Sequence, residues 1–129
     1  MTLDHTYYFD GDKKKISWTI ETNGARIDQV RTHIEDYYEK ISLEQSKYVA
    51  LHVGIFWGIG RFIIKNGDTV NVKLDLKSMF ENLGENKMQN DPFVNSRTRF
   101  IQQLIDQRKI TVRYDTIEQH ENKATSLLV

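Results

Sequence analysis

The most apolar stretch of the chain, SKYVALHVGIFWGIGRFII at residues 46 to 64, constrains the fold more than any other segment. A helix that spans a bilayer needs roughly 20 mostly apolar residues. Here only residues 49 to 60 are nearly continuous, and His52 interrupts them. The glycines at positions 54, 58 and 60 lower helix propensity but permit close backbone packing. The stretch therefore predicts a helix buried against a sheet, and we expect no contact with a membrane.

Segments on both sides of this stretch show the two-residue alternation of half-buried strands. Ile16, Trp18 and Ile20 alternate with polar residues, and Val70 and Val72 do so after the turn signal NGD at residues 66 to 68. The expected order is strand, strand, strand, helix, strand, helix, helix, strand, helix, with helices at residues 43 to 63, 76 to 84, 91 to 108 and 118 to 129. Because a helix between two strands makes a parallel crossover and a hairpin makes an antiparallel pair, we expect one α/β domain over residues 1–129 with a mixed sheet.

Charge and cysteine content exclude several kinds of site. Lys plus Arg number 18 and Asp plus Glu number 18, so the formal net charge is zero. No overall attraction to nucleic acid is expected, although a local basic face is compatible with this charge. The chain has no cysteine, which excludes disulfides, thiolate zinc sites and a cysteine nucleophile. The first ten residues lack a signal-peptide pattern, so we expect an intracellular, cytoplasmic protein.

Two aspartates, Asp10 and Asp75, lie where predicted strands end. Ligands of α/β sheets bind beyond the carboxyl ends of strands, and neighbouring strands would bring these two carboxylates together. Adjacent carboxylates repel each other unless a proton or a cation lies between them, which makes a divalent metal site one interpretation. Aspartate is also common at strand ends because it stabilises turns, so the spacing leaves both interpretations open.

Four motifs, in order along the chain, resemble the ribonuclease H family and especially its archaeal type I branch. The segment YYFDG resembles the family's first strand with its first metal-binding aspartate, here Asp10. The segment SKYVALHVGI resembles the start of the first long helix, and VKLDLKSMFENL resembles the strand with the central aspartate, here Asp75. The segment ITVRYDTIEQHENKATSLL resembles the last strand, loop and C-terminal motif. The resemblance covers nearly the whole chain and implies a ribonuclease H-like fold, with a mixed five-stranded sheet flanked by helices.

The resemblance also implies a mechanism, from which this sequence departs. In the family, four carboxylates hold two divalent ions, Mg²⁺ or Mn²⁺, which activate a water and stabilise the leaving oxygen when the RNA strand of an RNA–DNA hybrid is cut. This chain has Lys47 in place of the helix glutamate and Thr125 in place of the last aspartate. Two negative charges are lost and one positive charge is gained, which weakens cation binding. Cleavage is therefore expected to be lost or impaired, and such a domain needs no metal.

Lys47 itself has a predicted place in the site. We hypothesise that its ammonium group lies between Asp10 and Asp75 as a built-in cation that replaces the metal. Two inward-facing carboxylates without a partner would be costly, which favours this pairing. The alternative is that Lys47 extends into solvent.

Other residues could complete an active site instead. Glu44 lies one helical turn before Lys47 on the same face, so a register shift of three residues would give a metal site of Asp10, Glu44 and Asp75. His120 falls in the loop where the family often carries a proton-shuttling histidine, although a lone loop histidine is more often a solvated surface residue. With these residues the chain would be a ribonuclease H-type endonuclease.

A set of basic residues around the first hairpin could contact phosphates along one edge of the sheet: Lys13, Lys14, Lys15, Arg26 and Arg31. The alternative is a solvated turn that resists aggregation. Three functions are consistent with the sequence. The first is a domain that binds an RNA–DNA hybrid or another nucleic acid without efficient cleavage. The second is an active metal-dependent ribonuclease H, and the third is a structural module that forms a homodimer or binds a protein partner.

Overall fold

The computed structural model describes residues 2–129 and contains a single five-stranded sheet within that range. Its strands are β1 (Asp4–Gly11), β2 (Lys15–Thr22), β3 (Ala25–Thr32), β4 (Thr69–Leu74) and β5 (Thr111–Thr116). The spatial order is β3-β2-β1-β4-β5. The pairs β1–β2 and β2–β3 are antiparallel, whereas β1–β4 and β4–β5 are parallel. The mixed five-stranded sheet predicted from the sequence is confirmed, including its third strand.

Three helices flank the sheet: α1 (Leu43–Gly60), α2 (Lys77–Met79) and α3 (Pro92–Gln107). The core lies mainly between α1 and the central strands, where Tyr7 and Trp18 are fully buried. The hydroxyl of Tyr7 donates a hydrogen bond of 2.6 Å to the carbonyl of Ala50 and so ties β1 to the middle of α1. In the part of the chain that the structure describes, no helix is long and apolar enough to cross a membrane.

Helix α1 begins where the sequence predicted and ends three residues earlier. Ser42 caps it in a reciprocal arrangement, since its hydroxyl accepts a hydrogen bond from the Gln45 amide and its own amide donates to the Gln45 side chain. The predicted end at residue 63 is wrong, because the helix stops at Gly60. The amides of Ile63 and Ile64 both bond back to the carbonyl of Gly58, and this turn buries the Ile64 side chain.

The remaining helical segments match the sequence in part. The segment predicted as a helix at residues 76 to 84 is α2 followed by a π-helical turn, Phe80–Gly84. The C-terminal segment is not the helix predicted at residues 118 to 129 but two 3₁₀ turns, Gln119–Glu121 and Thr125–Leu128. Ser17 donates to the carbonyl of Ala124 at 2.8 Å, and Asn122 donates to the carbonyl of Phe9 at 2.8 Å. These tertiary bonds compete with the backbone bonds of a continuous helix.

Gly54 gives a direct test of the packing between α1 and the sheet. A Cβ atom at this position would overlap the Tyr7 hydroxyl and lie 2.8 Å from Cγ of Trp18. We expect Gly54→Ala to lower the free energy of unfolding by about 1–3 kcal/mol, the usual cost of overpacking a core. Gly60→Ala is the matched control on the same helix, because no atom lies within 4 Å of its added Cβ. Urea denaturation should show a loss only for Gly54→Ala, and equal effects at the two positions would contradict this packing.

Candidate functional site

The site lies at the carboxyl ends of two neighbouring parallel strands. Tyr7 of β1 is in register with Val72 of β4. Three residues further along each strand, Asp10 and Asp75 therefore reach the same level of the sheet. Gly11 lets the first turn of α1 approach this edge, since a Cβ atom there would lie 2.8 Å from the backbone carbonyl carbon and oxygen of Ser46. That close approach brings the residue after Ser46, which is Lys47, over the two aspartates.

The ammonium group of Lys47 lies between the two carboxylates. Its Nζ is 2.7 Å from Oδ1 of Asp10, 2.9 Å from Oδ1 of Asp75 and 3.1 Å from Oδ2 of Asp75. An ammonium group has three N–H donors, and here three carboxylate oxygens accept from it. The three side chains are only 9%, 6% and 2% exposed for Lys47, Asp10 and Asp75. The placement expected from the sequence is thus observed, and the alternative of a solvent-exposed Lys47 is wrong.

The C-terminal segment completes the hydrogen bonding of both carboxylates. Thr125 donates from its hydroxyl to Oδ2 of Asp10 at 2.6 Å, and the amide of Gly11 donates to Oδ1 at 2.8 Å. Asn122 donates from Nδ2 to Oδ2 of Asp75 at 2.9 Å. Every oxygen of the two carboxylates consequently has at least one donor. Asn122 was not singled out from the sequence, although it belongs to the C-terminal motif ENKATSLL.

The electrostatics of this cluster keep the lysine charged. Burial lowers the pKa of the Lys47 ammonium group, but the hydrogen bonds and negative charges of Asp10 and Asp75 outweigh burial. The pKa therefore lies above its ordinary value of 10.5. Two carboxylates and one ammonium group leave a formal charge of −1, and the hydrogen bonds from Thr125, Gly11 and Asn122 stabilise the remaining negative charge.

The residues present do not fit a divalent metal ion. Within residues 2–129, no three His, Asp or Glu side chains are arranged to hold one. A metal between Asp10 and Asp75 would have to displace the Lys47 ammonium group, which already bonds to both carboxylates. Hard cations such as Mg²⁺ need several oxygen ligands around one point, and Thr125 offers a hydroxyl in place of a carboxylate.

Glu44 and His120, which could have completed an active site, are not brought to the aspartates. Glu44 accepts a hydrogen bond from the hydroxyl of Ser78 in α2, and among residues 2–129 it forms no metal-binding cluster with Asp10 and Asp75. The metal set of Asp10, Glu44 and Asp75 is therefore wrong as a geometric prediction. His120 is exposed in the turn Gln119–Glu121. The register of α1 follows the Ser42 cap, which excludes the three-residue shift that Glu44 required.

The five basic residues predicted to contact phosphates do not share one face. Lys13 and Lys14 lie in the turn after β1, next to Asp10, and Lys15 opens β2. Arg26 and Arg31 both belong to the edge strand β3, but side chains five residues apart in a strand point to opposite faces. Arg26 pairs with Asp28 at 2.9 Å. The guanidinium of Arg31 lies over the ring of Trp18 on the α1 side, 5.4 Å from the ring centroid.

A cleft opens on the other side of Asp75, between the ends of β4 and β5. Its volume is about 520 Å³, and its lining includes Glu81, Glu85 and Glu118 together with Lys77. Three glutamates against one lysine make this cleft acidic, which disfavours a phosphate backbone. The basic turn of residues 13 to 15 is thus the more favourable approach to the site for an anion.

The architecture defines the class: an α/β protein with a mixed five-stranded sheet and paired aspartates at the strand ends, which is the ribonuclease H fold. The RNase H1 of the halophilic archaeon Halobacterium salinarum superposes with a TM-score of 0.78 at 14% identity, covering 97% of each chain. The N-terminal RNase H domain of a Mycobacterium tuberculosis protein, solved as a fusion with maltose-binding protein, gives 0.73 at 14% identity over 98% of this chain and 91% of that one.

A third similar structure is LC11-RNase H1 in complex with an RNA/DNA hybrid, with a TM-score of 0.64 at 11% identity. The match covers 98% of this chain and 93% of that one. Searches against protein-family models and against curated protein sequences find no match. The resemblance stated from the sequence motifs is thus confirmed at the level of the fold.

Removing the Lys47 charge should destabilise the protein strongly. We expect Lys47→Met to lower the free energy of unfolding by about 3–5 kcal/mol, because two buried carboxylates lose their shared partner. Lys73→Met is the matched control, since Lys73 pairs at 3.0 Å with Asp115, whose side chain is 55% exposed. That change should cost no more than about 1 kcal/mol. Chemical denaturation measures both, and a small loss for Lys47→Met would contradict the buried pairing.

The raised pKa of Lys47 predicts an alkaline loss of stability. A raised folded-state pKa contributes stability that is fully present below the unfolded value of about 10.5 and is lost as pH rises through the folded-state pKa. Buried tyrosines such as Tyr48, whose pKa burial raises to about 12, titrate in the same direction. Comparing the wild type with Lys47→Met cancels their contribution. The difference in unfolding free energy should shrink above about pH 10.5, and a difference that stays constant to about pH 12 would contradict the account.

Proposed function

We propose that this chain is a ribonuclease H-like nucleic-acid-binding domain that does not cleave RNA–DNA hybrids. The observation that carries the proposal is the position of Lys47 Nζ, within 2.7 to 3.1 Å of three oxygens of Asp10 and Asp75. The cation that lies between the two aspartates is then a side chain of the protein itself. An ammonium group neutralises the aspartates but has no open position where water could bind and be activated.

The loss of cleavage follows from the chemistry of the substitutions. Two-metal hydrolysis needs carboxylates that are free to bind ions on both sides of the scissile phosphate. In this chain Asp10 is engaged by Lys47, Thr125 and Gly11, and Asp75 by Lys47 and Asn122. Every carboxylate oxygen already accepts at least one hydrogen bond, and a metal between the two aspartates would have to displace the Lys47 ammonium group. The same bonds make the cluster a structural joint between β1, β4, α1 and the C-terminal segment.

Nucleic-acid binding is supported by the fold together with one local feature. LC11-RNase H1, which has the same fold, is bound to an RNA/DNA hybrid. In this chain, Lys13, Lys14 and Lys15 lie at the same end of the sheet as Asp10, in and after the turn that joins β1 to β2. Lys14 is only loosely paired, at 3.6 Å from Glu39 with both side chains more than half exposed. Its charge is therefore available to a phosphate.

One pair of assays tests this proposal. A labelled RNA–DNA hybrid should bind in a fluorescence anisotropy titration, with an affinity that falls as salt rises because phosphate contacts release counterions. The same hybrid should stay intact with Mg²⁺ or Mn²⁺. Lys13→Ala with Lys14→Ala should weaken binding, whereas Lys109→Ala, at the opposite end of the sheet, should not. Metal-dependent cleavage that Asp10→Asn abolishes would establish an active enzyme. A concentration-dependent dimer without binding would favour a structural module.

Restoring the acids tests why cleavage is lost. Lys47→Glu with Thr125→Asp gives four carboxylates at the site, and we expect this variant to bind Mn²⁺ measurably by calorimetry where the wild type does not. The control is Lys109→Glu with Thr111→Asp, which makes the same change in net charge at the far end of the sheet. Equal Mn²⁺ binding by both variants would contradict the role given to Lys47.

A further inference from the structure

A second candidate site lies on the α1 face of the sheet, away from the aspartates. A half-open cavity of about 240 Å³ is lined by residues of β2, the end of β3, the segment after it, α1 and α3. Its walls are largely apolar and include Ile16, Val49 and Val53, and two guanidinium groups, of Arg31 and Arg97, also line it. An adjoining cavity of about 230 Å³ shares Val53 and Arg97 with it.

Arg97 is a half-buried cation without an acidic partner in the described chain. Its Nη1 is 2.9 Å from Nδ1 of His52, and its Nη2 donates to the Tyr37 hydroxyl at 2.9 Å. Its guanidinium also lies over the rings of Phe93 and Tyr37, 5.4 and 5.7 Å from their centroids. These neutral contacts fix the orientation of the guanidinium but do not compensate its charge. Because a guanidinium has five N–H donors, it can also donate to a ligand.

Arg31 brings a second uncompensated charge to the same cavity. It lies over Trp18, and its Nη1 donates to the carbonyl of Val30 at 2.8 Å. No Asp or Glu among residues 2–129 forms an ion pair with Arg31 or Arg97, and none lines either cavity. The two histidines of these cavities, His33 and His52, are neutral near pH 7, because burial lowers the pKa of each below the ordinary value of 6.5. The cavity consequently carries a charge of about +2.

Most Lys and Arg side chains without an ion pair, such as Arg61, Arg99 and Arg108, are exposed to solvent, whereas Arg97 is half-buried. Acidic partners are supplied elsewhere: Lys123 pairs with Glu21 at 2.7 Å, and Arg26 pairs with Asp28 at 2.9 Å. Holding the half-buried Arg97 guanidinium beside an apolar cavity without a carboxylate is unfavourable, because its desolvation is not offset by a countercharge, whereas the exposed Arg31 adds its charge without that cost. An anionic ligand would supply that countercharge.

We propose that this cavity binds a phosphomonoester, either of a small free molecule or at the 5′ end of a nucleic-acid strand. A phosphomonoester carries a charge of about −1.5 to −2 at pH 7, which matches two guanidinium groups, whereas a carboxylate would leave one of them unpaired. Arginine binds phosphate oxygens through paired N–H donors. The volume is below the roughly 300–1,000 Å³ of sites for drug-sized ligands, so the phosphate and a small part of its organic body fit.

Calorimetry with defined probes tests this site independently of hybrid binding or cleavage. Inorganic phosphate and uridine 5′-monophosphate should bind saturably, and uridine, which lacks the phosphate, should not. Arg97→Met and Arg31→Met should each weaken binding at least about tenfold, a change expected for loss of a charge-assisted contact. Arg99→Met is the matched control, because Arg99 lies on the same helix but over Phe100 at the surface. If Arg97→Met fails to fold, the result for Arg31→Met decides whether the cavity binds phosphate, because that variant alters an exposed side chain.

The source of the phosphate is resolved by comparing strands. A 5′-phosphorylated oligonucleotide that binds more tightly than the same strand with a 5′ hydroxyl group identifies a strand end, and equal affinities of the two strands identify a small ligand. Both results support the site. No saturable binding of phosphate or uridine 5′-monophosphate up to about 10 mM, tenfold above a Kd of about 1 mM, would overturn it. An equal loss of binding in Arg99→Met would overturn it as well.

Discussion

The contact of one buried ammonium group with two buried carboxylates is the interaction on which the arrangement of this protein depends. Lys47 belongs to α1, Asp10 belongs to β1, and Asp75 is the residue that follows β4. A single ammonium group therefore joins three segments that are distant in sequence. Burying two carboxylates side by side is costly, and the ammonium group offsets that cost only while its hydrogen bonds are intact. The position of α1 on the sheet and the neutralisation of the two aspartates therefore depend on the same contact.

The same contact connects the fold to its proposed loss of chemistry. In a site with four carboxylates, a cation from solvent is required to neutralise them, and that cation can also bind water and substrate. Here neutralisation comes from a side chain, and Thr125 and Asn122 add hydrogen bonds to Asp10 and Asp75. The cluster is then satisfied without an exchangeable ion. Under the proposed function, this substitution keeps the stability that a bound metal would give and removes the metal-dependent activity.

Much of the fold could be predicted because local patterns and global packing agree. The alternation of Ile16, Trp18 and Ile20 marks a half-buried strand, and these side chains are buried in β2. The placement of Lys47 followed from the resemblance to the ribonuclease H family, in which the helix glutamate occupies this position, once two strand-end aspartates were expected to be neighbours. Arg26 and Arg31 show an error that the sequence could have prevented, since their odd spacing in β3 already places them on opposite faces.

Other features depend on contacts that no local pattern contains. Thr125 bonds to Asp10 across 115 positions in the sequence, and Asn122 bonds to Phe9 across 113, so the 3₁₀ path of the C-terminal segment is set by the sheet and not by helix propensity. Glu44 shares a helix face with Lys47, yet it bonds to Ser78 because α2 packs beside that turn. Arg31 and Arg97 likewise line one cavity only because β3 and α3 lie close together in the fold.

The most direct test of the account is a crystal of the wild-type protein soaked in Mn²⁺ and measured at a wavelength where manganese scatters anomalously. We expect no anomalous peak between Asp10 and Asp75, with the Lys47 ammonium group in density at hydrogen-bonding distance from both carboxylates. A manganese peak bound to these two aspartates, with the Lys47 side chain displaced, would contradict the central claim that the protein carries its own cation.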